Sequence, residues 1–393
     1  MKTAFFFFLM LGFAVLASAQ VKFHGSFRNS IYSYESDQSH TRFYQYLRTR
    51  TISPCKKFIV QTSMRALTDA NVSLTNEERF KVYSLRFDGK GLLDKKLDLA
   101  FGRLFLHPGT VLGALDGATV KYSFSRHFSL MAYGGVEGHF QRSFKAYELN
   151  DSQVLGGLFN VQRFYASKLQ FLYVRKANDA ATFWHLTGLN FNTALLPKTI
   201  LRVQSHYDIE NSRMHRFLFS ARNTWTDNLM TTLEFKQQFP QIYADSYFTI
   251  FTPLAYQRIR LGAAYEFIPN YYVQFFFQHV MFEQDNANQL YATIGNTFGD
   301  IGLIWENGYA GDQLAVMLNM FYEVVPNLVA SVYVDYSQYR LEEIYEYDNQ
   351  LANAARLSYR IGRHWTIDVE YQWLTNKYKS SDSRFLNHIA FVW

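Results

Sequence analysis

Cysteine and proline are scarce in this chain. One Cys and seven Pro occur among its 393 residues. A single Cys cannot form an intrachain disulfide, and it excludes c-type haem attachment and zinc clusters built from cysteines. The excess of positive charge is also small, because a formal net charge of +6 is modest for this length. It does not by itself indicate a nucleic-acid partner, and none is expected.

Long apolar runs are missing beyond the first twenty residues. No stretch there reaches about 18 consecutive apolar residues, so a membrane-spanning helix is not predicted. The motifs G-x-S-x-G, Walker A and H-E-x-x-H are absent as well. We therefore expect no enzyme, no metal site and no cofactor. Catalytic groups that converge from separate strands are invisible in a sequence, so a barrel enzyme stays a minor alternative.

Aromatic residues are abundant. The chain contains 37 Phe, 28 Tyr and 6 Trp, and 48% of its residues are hydrophobic. This composition excludes a disordered protein, because enough apolar area is present to fill a large core or to cover a large surface.

The first nineteen residues have the three regions of a secretory signal peptide in the right order. Lys2 provides the positive start, an apolar run extends from Phe5 to Leu16, and Ala17-Ser18-Ala19 forms an A-x-A cleavage site. We predict a cleavable signal peptide over residues 1–19, followed by one domain over residues 20–393. The exported protein would begin at Gln20.

Period-2 alternation of apolar and polar residues recurs along the remainder, which predicts β-strands rather than helices. Val120 and Tyr122, for example, alternate with Thr119 and Lys121. The apolar members are unusually aromatic, as expected of strands that face lipid. The residues predicted to face lipid are Val21, Phe23, Phe27, Val120, Tyr122, Leu201, Val203, Ile259, Leu261, Val369 and Tyr371.

Turn signals separate the alternating runs and set the number of strands. Ten tight turns are predicted, at Pro54, Lys95, Ser125–His127, Phe164, Pro197, Thr226–Asn228, Pro269, Gly299, Pro326 and Gly362–His364. Pro108, Pro240 and Pro253 are assigned to longer loops. Ten turns give 22 strands, and omitting two weak ones gives 18. The predicted fold is all-β: a single closed antiparallel transmembrane β-barrel with an even number of about 18–22 strands, because lipid excludes an open sheet edge.

Together these features resemble bacterial outer-membrane β-barrels over residues 20–393. The C-terminal Ile389, Phe391 and Trp393 resemble the signal that the barrel-assembly machinery reads. Phe101-Gly102-Arg103 and Asp116-Gly117-Ala118 are faintly similar to alginate-export-type porins, which usually carry Gln where this chain has Leu104. The resemblance implies a porin-like protein of the bacterial outer membrane, with membrane lipid and the assembly machinery as partners.

Charged residues on the polar face of the strands would line the lumen. On the first three strands they have one sign and form a predicted basic wall: Lys22, His24, Arg28, Arg42, Arg48, Arg50 and Arg65. Acids are missing from this wall until Asp69, near a loop. Elsewhere the predicted lumen charges are mixed in sign, which is ordinary for cross-strand pairs. They are Arg258, Arg260, Asp335, Arg356, Arg360, Asp368 and Glu370.

Two functions besides an enzyme are compatible with this reading. A porin would pass small solutes, and a basic wall would favour anions. Alternatively, a wide barrel would sheathe a partner protein that fills its lumen, as in porin-cytochrome electron conduits. Strand number discriminates the two, because about 16–18 strands favour a self-sufficient porin and about 20 or more favour a filled barrel.

Overall fold

The fold is taken from a computed structural model of the whole chain. It describes residues 21–393 except 37, 107–112, 140, 195, 240–254, 284, 310 and 343–344. The predicted signal peptide and the three prolines assigned to longer loops, Pro108, Pro240 and Pro253, lie outside the described residues.

The described residues form 22 strands and two single-turn helical segments, α1 (Asn76–Arg79) and α2 (Leu92–Lys95). Neither segment, nor any other helix in the described part of the chain, is long and apolar enough to cross a membrane. The strands are β1 (Lys22–Glu35), β2 (Ser39–Ile52), β3 (Phe58–Asp69), β4 (Phe80–Gly91), β5 (Leu97–Leu106), β6 (Gly113–Ser123), β7 (Phe128–Glu137), β8 (Gln153–Phe164), β9 (Ser167–Ala177), β10 (Thr182–Thr193), β11 (Thr199–Asp208), β12 (Arg213–Thr226), β13 (Leu229–Gln238), β14 (Tyr256–Ile268), β15 (Tyr271–Met281), β16 (Asn286–Asn296), β17 (Gly299–Gly308), β18 (Asp312–Val325), β19 (Leu328–Arg340), β20 (Asp348–Ile361), β21 (Trp365–Thr375) and β22 (Asp382–Val392).

Every strand pairs antiparallel with its neighbours along the chain, and the last strand returns to the first. β1 pairs with β22 from Ser26 opposite Val392 to Ser33 opposite Phe385. This pairing closes the sheet into one barrel. Closure leaves no strand edge to expose unpaired N–H and C=O groups, which a bilayer could not satisfy. The predicted closed, even-stranded barrel is confirmed, with 22 strands.

The two ends of the barrel differ. Ten connections of two to five residues lie at the end of the barrel where β1 begins and β22 ends, and each of them lies within one residue of a predicted turn. In two of them Pro269 and Pro326 precede Asn270 and Asn327, whose φ values are 71° and 70°. Proline followed by an Asn with positive φ fits a tight turn. We call this the short-turn end; in bacterial barrels it faces the periplasm.

Large apolar side chains project from one face of nearly every strand. Their exposed fractions are 40% for Phe27, 45% for Val120, 48% for Leu261 and 50% for Tyr371. Such a band fits a hydrocarbon layer, and we call this the outer face. Of the residues predicted to face lipid, all except Val21, which precedes β1, lie on it. The alternate residues form the inner face, which is mostly polar or charged.

The closing seam carries an aromatic cluster at the short-turn end. Trp393 continues the β22 ladder, because its backbone N–H donates to Gly25 at 3.1 Å and its carbonyl accepts from Gly25 at 3.1 Å. A Cβ atom on residue 25 would lie only 2.2 Å from the nearest atom of the Trp393 ring. The ring also stacks on Phe391 at 5.6 Å and lies 5.8 Å from Phe23. Glycine at position 25 thus admits the terminal indole.

Cys55 gives a direct test of the orientation. It is exposed in the turn between β2 and β3, and a hydrogen bond with Ser53 at 3.2 Å lowers the pKa of its thiol. If the short-turn end faces the periplasm, a bulky impermeant maleimide will not label intact cells and will label cells with a permeabilised outer membrane. Labelling of intact cells would reverse the orientation. A C55S variant carrying S380C, in the connection at the opposite end, is the positive control.

Candidate functional site

The predicted basic wall lies on the inner face of three adjacent strands. His24 lies opposite Arg50 and Ser26 opposite Arg48. Arg28 lies opposite Tyr46, which in turn lies opposite Arg65. The register therefore brings all seven predicted residues onto one wall: Lys22, His24, Arg28, Arg42, Arg48, Arg50 and Arg65.

The wall is not equally charged along its height. Near the end opposite the short turns, the Arg42 guanidinium donates to Asp69 at 3.1 Å, and His40 lies 2.7 Å from the same carboxylate. Closer to the short-turn end, Arg28, Arg48 and Arg50 are exposed and form no ion pair with a described acid. Uncompensated positive charge is therefore concentrated in the half of the wall nearer the short turns.

Tyrosine rings are interleaved with these cations. Tyr32 stacks on Tyr34 at 4.8 Å between ring centroids, and the Arg42 guanidinium lies 5.5 Å from the Tyr34 ring. The Arg65 guanidinium lies 5.3 Å from the Tyr44 ring. Contacts of a cation with an aromatic face are stabilising and hold the guanidinium groups against the wall. These tyrosines were not among the predicted lumen residues, although they alternate with the same period.

A second group of cations lies on the inner face of β11–β14, across the barrel from the first. Its members are Arg202, Arg216, Arg222, Lys236, Arg258 and Arg260. Glu234, the acid within this group, forms an ion pair with Arg258. Arg260 instead lies 4.2 Å from the Phe276 ring. The Nε atoms of Arg216 and Arg258 are buried without a hydrogen-bond partner.

The prediction for this second group was incomplete. Arg258 and Arg260 were expected to lie beside Glu234 and Lys236, and the register does place Lys236 opposite Arg258. Arg216 and Arg222 on β12 were not identified. The register of β11 with β12 is regular from Thr199 to His206, so Arg216 and Arg222 alternate with Leu218 and Ser220 on the inner face and could have been identified from the sequence.

The remaining predicted lumen charges are partly paired. Arg356 forms an ion pair with Asp368 at 2.8 Å and lies opposite Glu370. Arg360 lies opposite Thr366 instead of an acid. Asp335 was expected to flank Arg356, but the structure does not bring them together. It lies opposite Ala352 and accepts a hydrogen bond from Tyr333 at 3.1 Å.

Part of the inner face is covered. The side chains of Leu104, Leu115, Val174, Leu186 and His206 are at most 1% exposed, and all point inward by strand register. Residues on an open, water-filled wall would be exposed. The leucine and valine side chains among them pack against other inward-pointing apolar side chains, so this part of the inner face is shielded from water by the chain itself.

The 138–152 connection between β7 and β8 is fixed to the barrel wall by a buried arginine. Arg103 donates to Asp116 at 2.7 and 2.6 Å and to the carbonyl of Lys145 at 2.9 Å. It also donates to the carbonyl of Ser143. Nearby, the N–H of Val82 donates to the carbonyl of Arg142 at 2.7 Å, beyond the last residues at which β4 and β5 pair. The connection thus supplies the ladder partner that β5 does not.

This finding gives a structural role to the two motifs that resemble alginate-export-type porins. They meet across β5 and β6, because Arg103 lies opposite Asp116 and Gly102 opposite Gly117. A Cβ on Gly117 would lie 2.2 Å from the carbonyl oxygen of Gly134, so only glycine fits there. The sequence did not show that these residues hold a loop.

No cluster of three or more metal-ligating side chains occurs within the described ranges. No protein-family model matches the sequence, and no curated protein matches it. Solved structures do match. The P pilus usher (PapC) translocation pore is similar with a TM-score of 0.52 and 7% identity, over 94% of this chain and 99% of that chain. A BenF-like porin from Pseudomonas fluorescens Pf-5 is similar with a TM-score of 0.50 and 9% identity, over 95% and 98%.

These likenesses establish the fold. The chain has the β-barrel fold of outer-membrane porins, as the sequence predicted. A fold hosts many functions, so the likenesses do not identify what passes through this barrel. A porin and a pilus usher pore are both among the matches, and the function must be argued from the residues of the inner face.

Proposed function

We propose that the protein is an outer-membrane channel that passes small solutes and favours anions. The observation that carries the proposal is the set of exposed, uncompensated cations on the inner face of β1 and β2. The second cationic group, on β11–β14, faces them across the lumen, with Glu234 among its six cations and with Asp208 and Glu266 nearer the strand ends. The proposed location is supported by the fold and by the predicted signal peptide.

Electrostatics explains why this arrangement would select by charge. Fixed cations beside a narrow water path raise the local concentration of anions, and low-dielectric walls strengthen the effect. On the inner face of β1–β2 and β11–β14, cationic side chains outnumber acidic ones. Charged side chains that line a pore are the usual origin of such selectivity.

Replacing Arg48 and Arg50 with glutamine is expected to shift the zero-current potential in a salt gradient toward cation preference. The shift should shrink at high salt, because the Debye length falls to about 3 Å at 1 M. Planar-bilayer recordings of the purified mature chain measure it. K56Q/K57Q, which removes two charges from the neighbouring turn, is the matched control and should shift the potential less. Identical reversal potentials for R48Q/R50Q and the parent at low salt would exclude the wall as a selectivity element.

A barrel that sheathes a partner protein is the second candidate. Twenty-two strands favour it, because barrels of about that size are generally plugged. A multihaem cytochrome is one kind of partner that such a barrel would enclose. Against it, the chain already covers part of its own inner face. Two results together would support the sheath. A haem protein would co-purify with the barrel, and the isolated barrel would show no ion conductance in planar bilayers.

The predicted export route has its own test. If residues 1–19 are a signal peptide, intact-mass measurement of protein from the outer membrane should show a chain that begins at Gln20. Replacing Ala17 and Ala19 with bulky residues should block cleavage and leave the precursor outside the outer membrane. Full-length protein in the outer membrane would contradict the prediction. The proposed reading of Ile389, Phe391 and Trp393 by the assembly machinery would be tested by deleting Trp393.

A further inference from the structure

Amide side chains interrupt the apolar outer face at one side of the barrel. Asn387 on β22, Asn29 on β1 and Gln45 on β2 each lie near the middle of their strand and point outward. Asn353 occupies the equivalent position on β20. On the opposite side of the barrel, the outward residues near mid-strand are apolar: Phe219, Leu233, Leu261, Phe275, Leu290, Leu303, Leu318 and Val334.

The first three amides are neighbours. Asn29 lies directly opposite Gln45 in the ladder of β1 and β2. Across the closing seam, Asn29 lies opposite Ile389 and Ile31 lies opposite Asn387, so Asn387 is the diagonal neighbour of Asn29. Diagonal side chains of this kind are within reach of one another. We call Asn387, Asn29 and Gln45 the amide patch.

The amide patch is not satisfied within the chain. Its members form no side-chain hydrogen bond with any residue that the structure describes; Gln45 is exposed and Asn387 and Asn29 are half-buried, and the Oδ1 atom of Asn29 is enclosed by the chain's own atoms without a partner. Midway along a strand the surrounding medium is the hydrocarbon layer, which offers neither donors nor acceptors. Unpaired polar groups at that depth are unfavourable, and in membrane proteins they generally face other protein groups.

We propose that the amide patch is the contact surface for a second copy of this chain in the membrane. Each amide carries both a donor and an acceptor, so the patch is complementary to itself. A two-fold axis along the membrane normal through β1 would place Asn29 against the partner's Asn29. It would also place Gln45 against the partner's Asn387, because β22 and β2 flank β1 at the same depth. Two-fold contacts of this self-complementary type are the commonest in homo-oligomers.

This inference goes beyond the proposed channel function and does not depend on which solute passes. Disulfide cross-linking in native outer membranes tests it. In a C55S background, I31C lies within the patch and should give a covalent dimer under oxidation. L233C, which is equally outward-facing near the middle of β13, is the matched control and should stay monomeric. Mass spectrometry of the cross-linked band identifies its components.

A second variant tests the amides themselves. N29L/Q45L/N387L in the C55S/I31C background should lower the dimer yield about tenfold, as expected when several hydrogen bonds between protein groups in the membrane are removed together. The variant barrel should still migrate as a folded band without heating, since leucine suits lipid. Equal cross-linking at I31C and L233C, an undiminished yield in the triple-leucine variant, or a cross-link to a different protein would each overturn the proposal.

Discussion

Replacing Arg103 with alanine is expected to destabilise the barrel by about 3–5 kcal/mol and to release the 138–152 connection. The side chain is 8% exposed and its partner Asp116 is 14% exposed. Removing one member of a buried ion pair leaves the other charge without compensation, and losses of this size are typical. The carbonyls of Ser143 and Lys145 would lose their donor as well. Both effects act in the same direction.

Trypsin offers a sensitive readout of this release. The released connection contains two exposed cleavage sites, Arg142 and Lys145, on either side of the buried Ser143. In the parent the fixed connection should resist brief proteolysis, whereas the R103A variant should be cut there. The connection lies at the end opposite the short turns, so cleavage should occur in intact cells. Heat- and denaturant-induced unfolding in liposomes would measure the loss of stability.

A matched control separates the buried pair from ordinary ion pairs. Arg356 also contacts an aspartate, Asp368, but its side chain is 45% exposed. R356A should therefore change stability by about 1 kcal/mol or less, because exposed pairs contribute little. R103K should fall between, since an ammonium group lacks the planar fork with which the guanidinium holds both oxygens of Asp116. If R103A and R356A behave alike, Arg103 does not hold the connection.

The architecture could be predicted from the sequence because local signals suffice for it. Alternation fixes which residues share a face, and the Pro269-Asn270 and Pro326-Asn327 pairs mark turns whose backbone they stabilise. In an up-and-down barrel, consecutive strands are neighbours, so turns and alternation together determine topology. For the same reason the sequence alone predicts that the basic wall lies on adjacent strands.

Contacts between residues distant in the chain could not be predicted. Arg103 contacts Ser143 and Lys145 through their backbone carbonyls, which no side-chain pattern reveals. The hydrogen bond from the N–H of Val82 to the carbonyl of Arg142 is a second example, because it joins β4 to a connection 60 residues further along the chain. The amide patch is a third example, because it exists only once β22 has paired with β1. Each depends on tertiary structure rather than on local sequence.

Placing an arginine at position 261 is expected to cost about 2–4 kcal/mol of folding free energy in a bilayer. Leu261 lies near the middle of β14, is 48% exposed on the outer face, and lies opposite Leu233 and Phe277. A guanidinium there would enter hydrocarbon far from either interface. No described acid lies on the outer face at the neighbouring ladder positions to pair with it. The cost should fall toward the ends of the strand, where long cationic side chains reach water.

Position 264 provides the matched comparison. Ala264 is on the same strand but on the inner face, opposite Met230 and Gln274 and two residues from Glu266. A264R should cost far less than L261R, because its charge remains beside the lumen. Reversible unfolding of the two variants in liposomes of the same composition measures the difference. Equal losses at both positions would show that the inner and outer faces are assigned wrongly. The proposals built on the basic wall and on the amide patch both depend on that assignment and would then fail together.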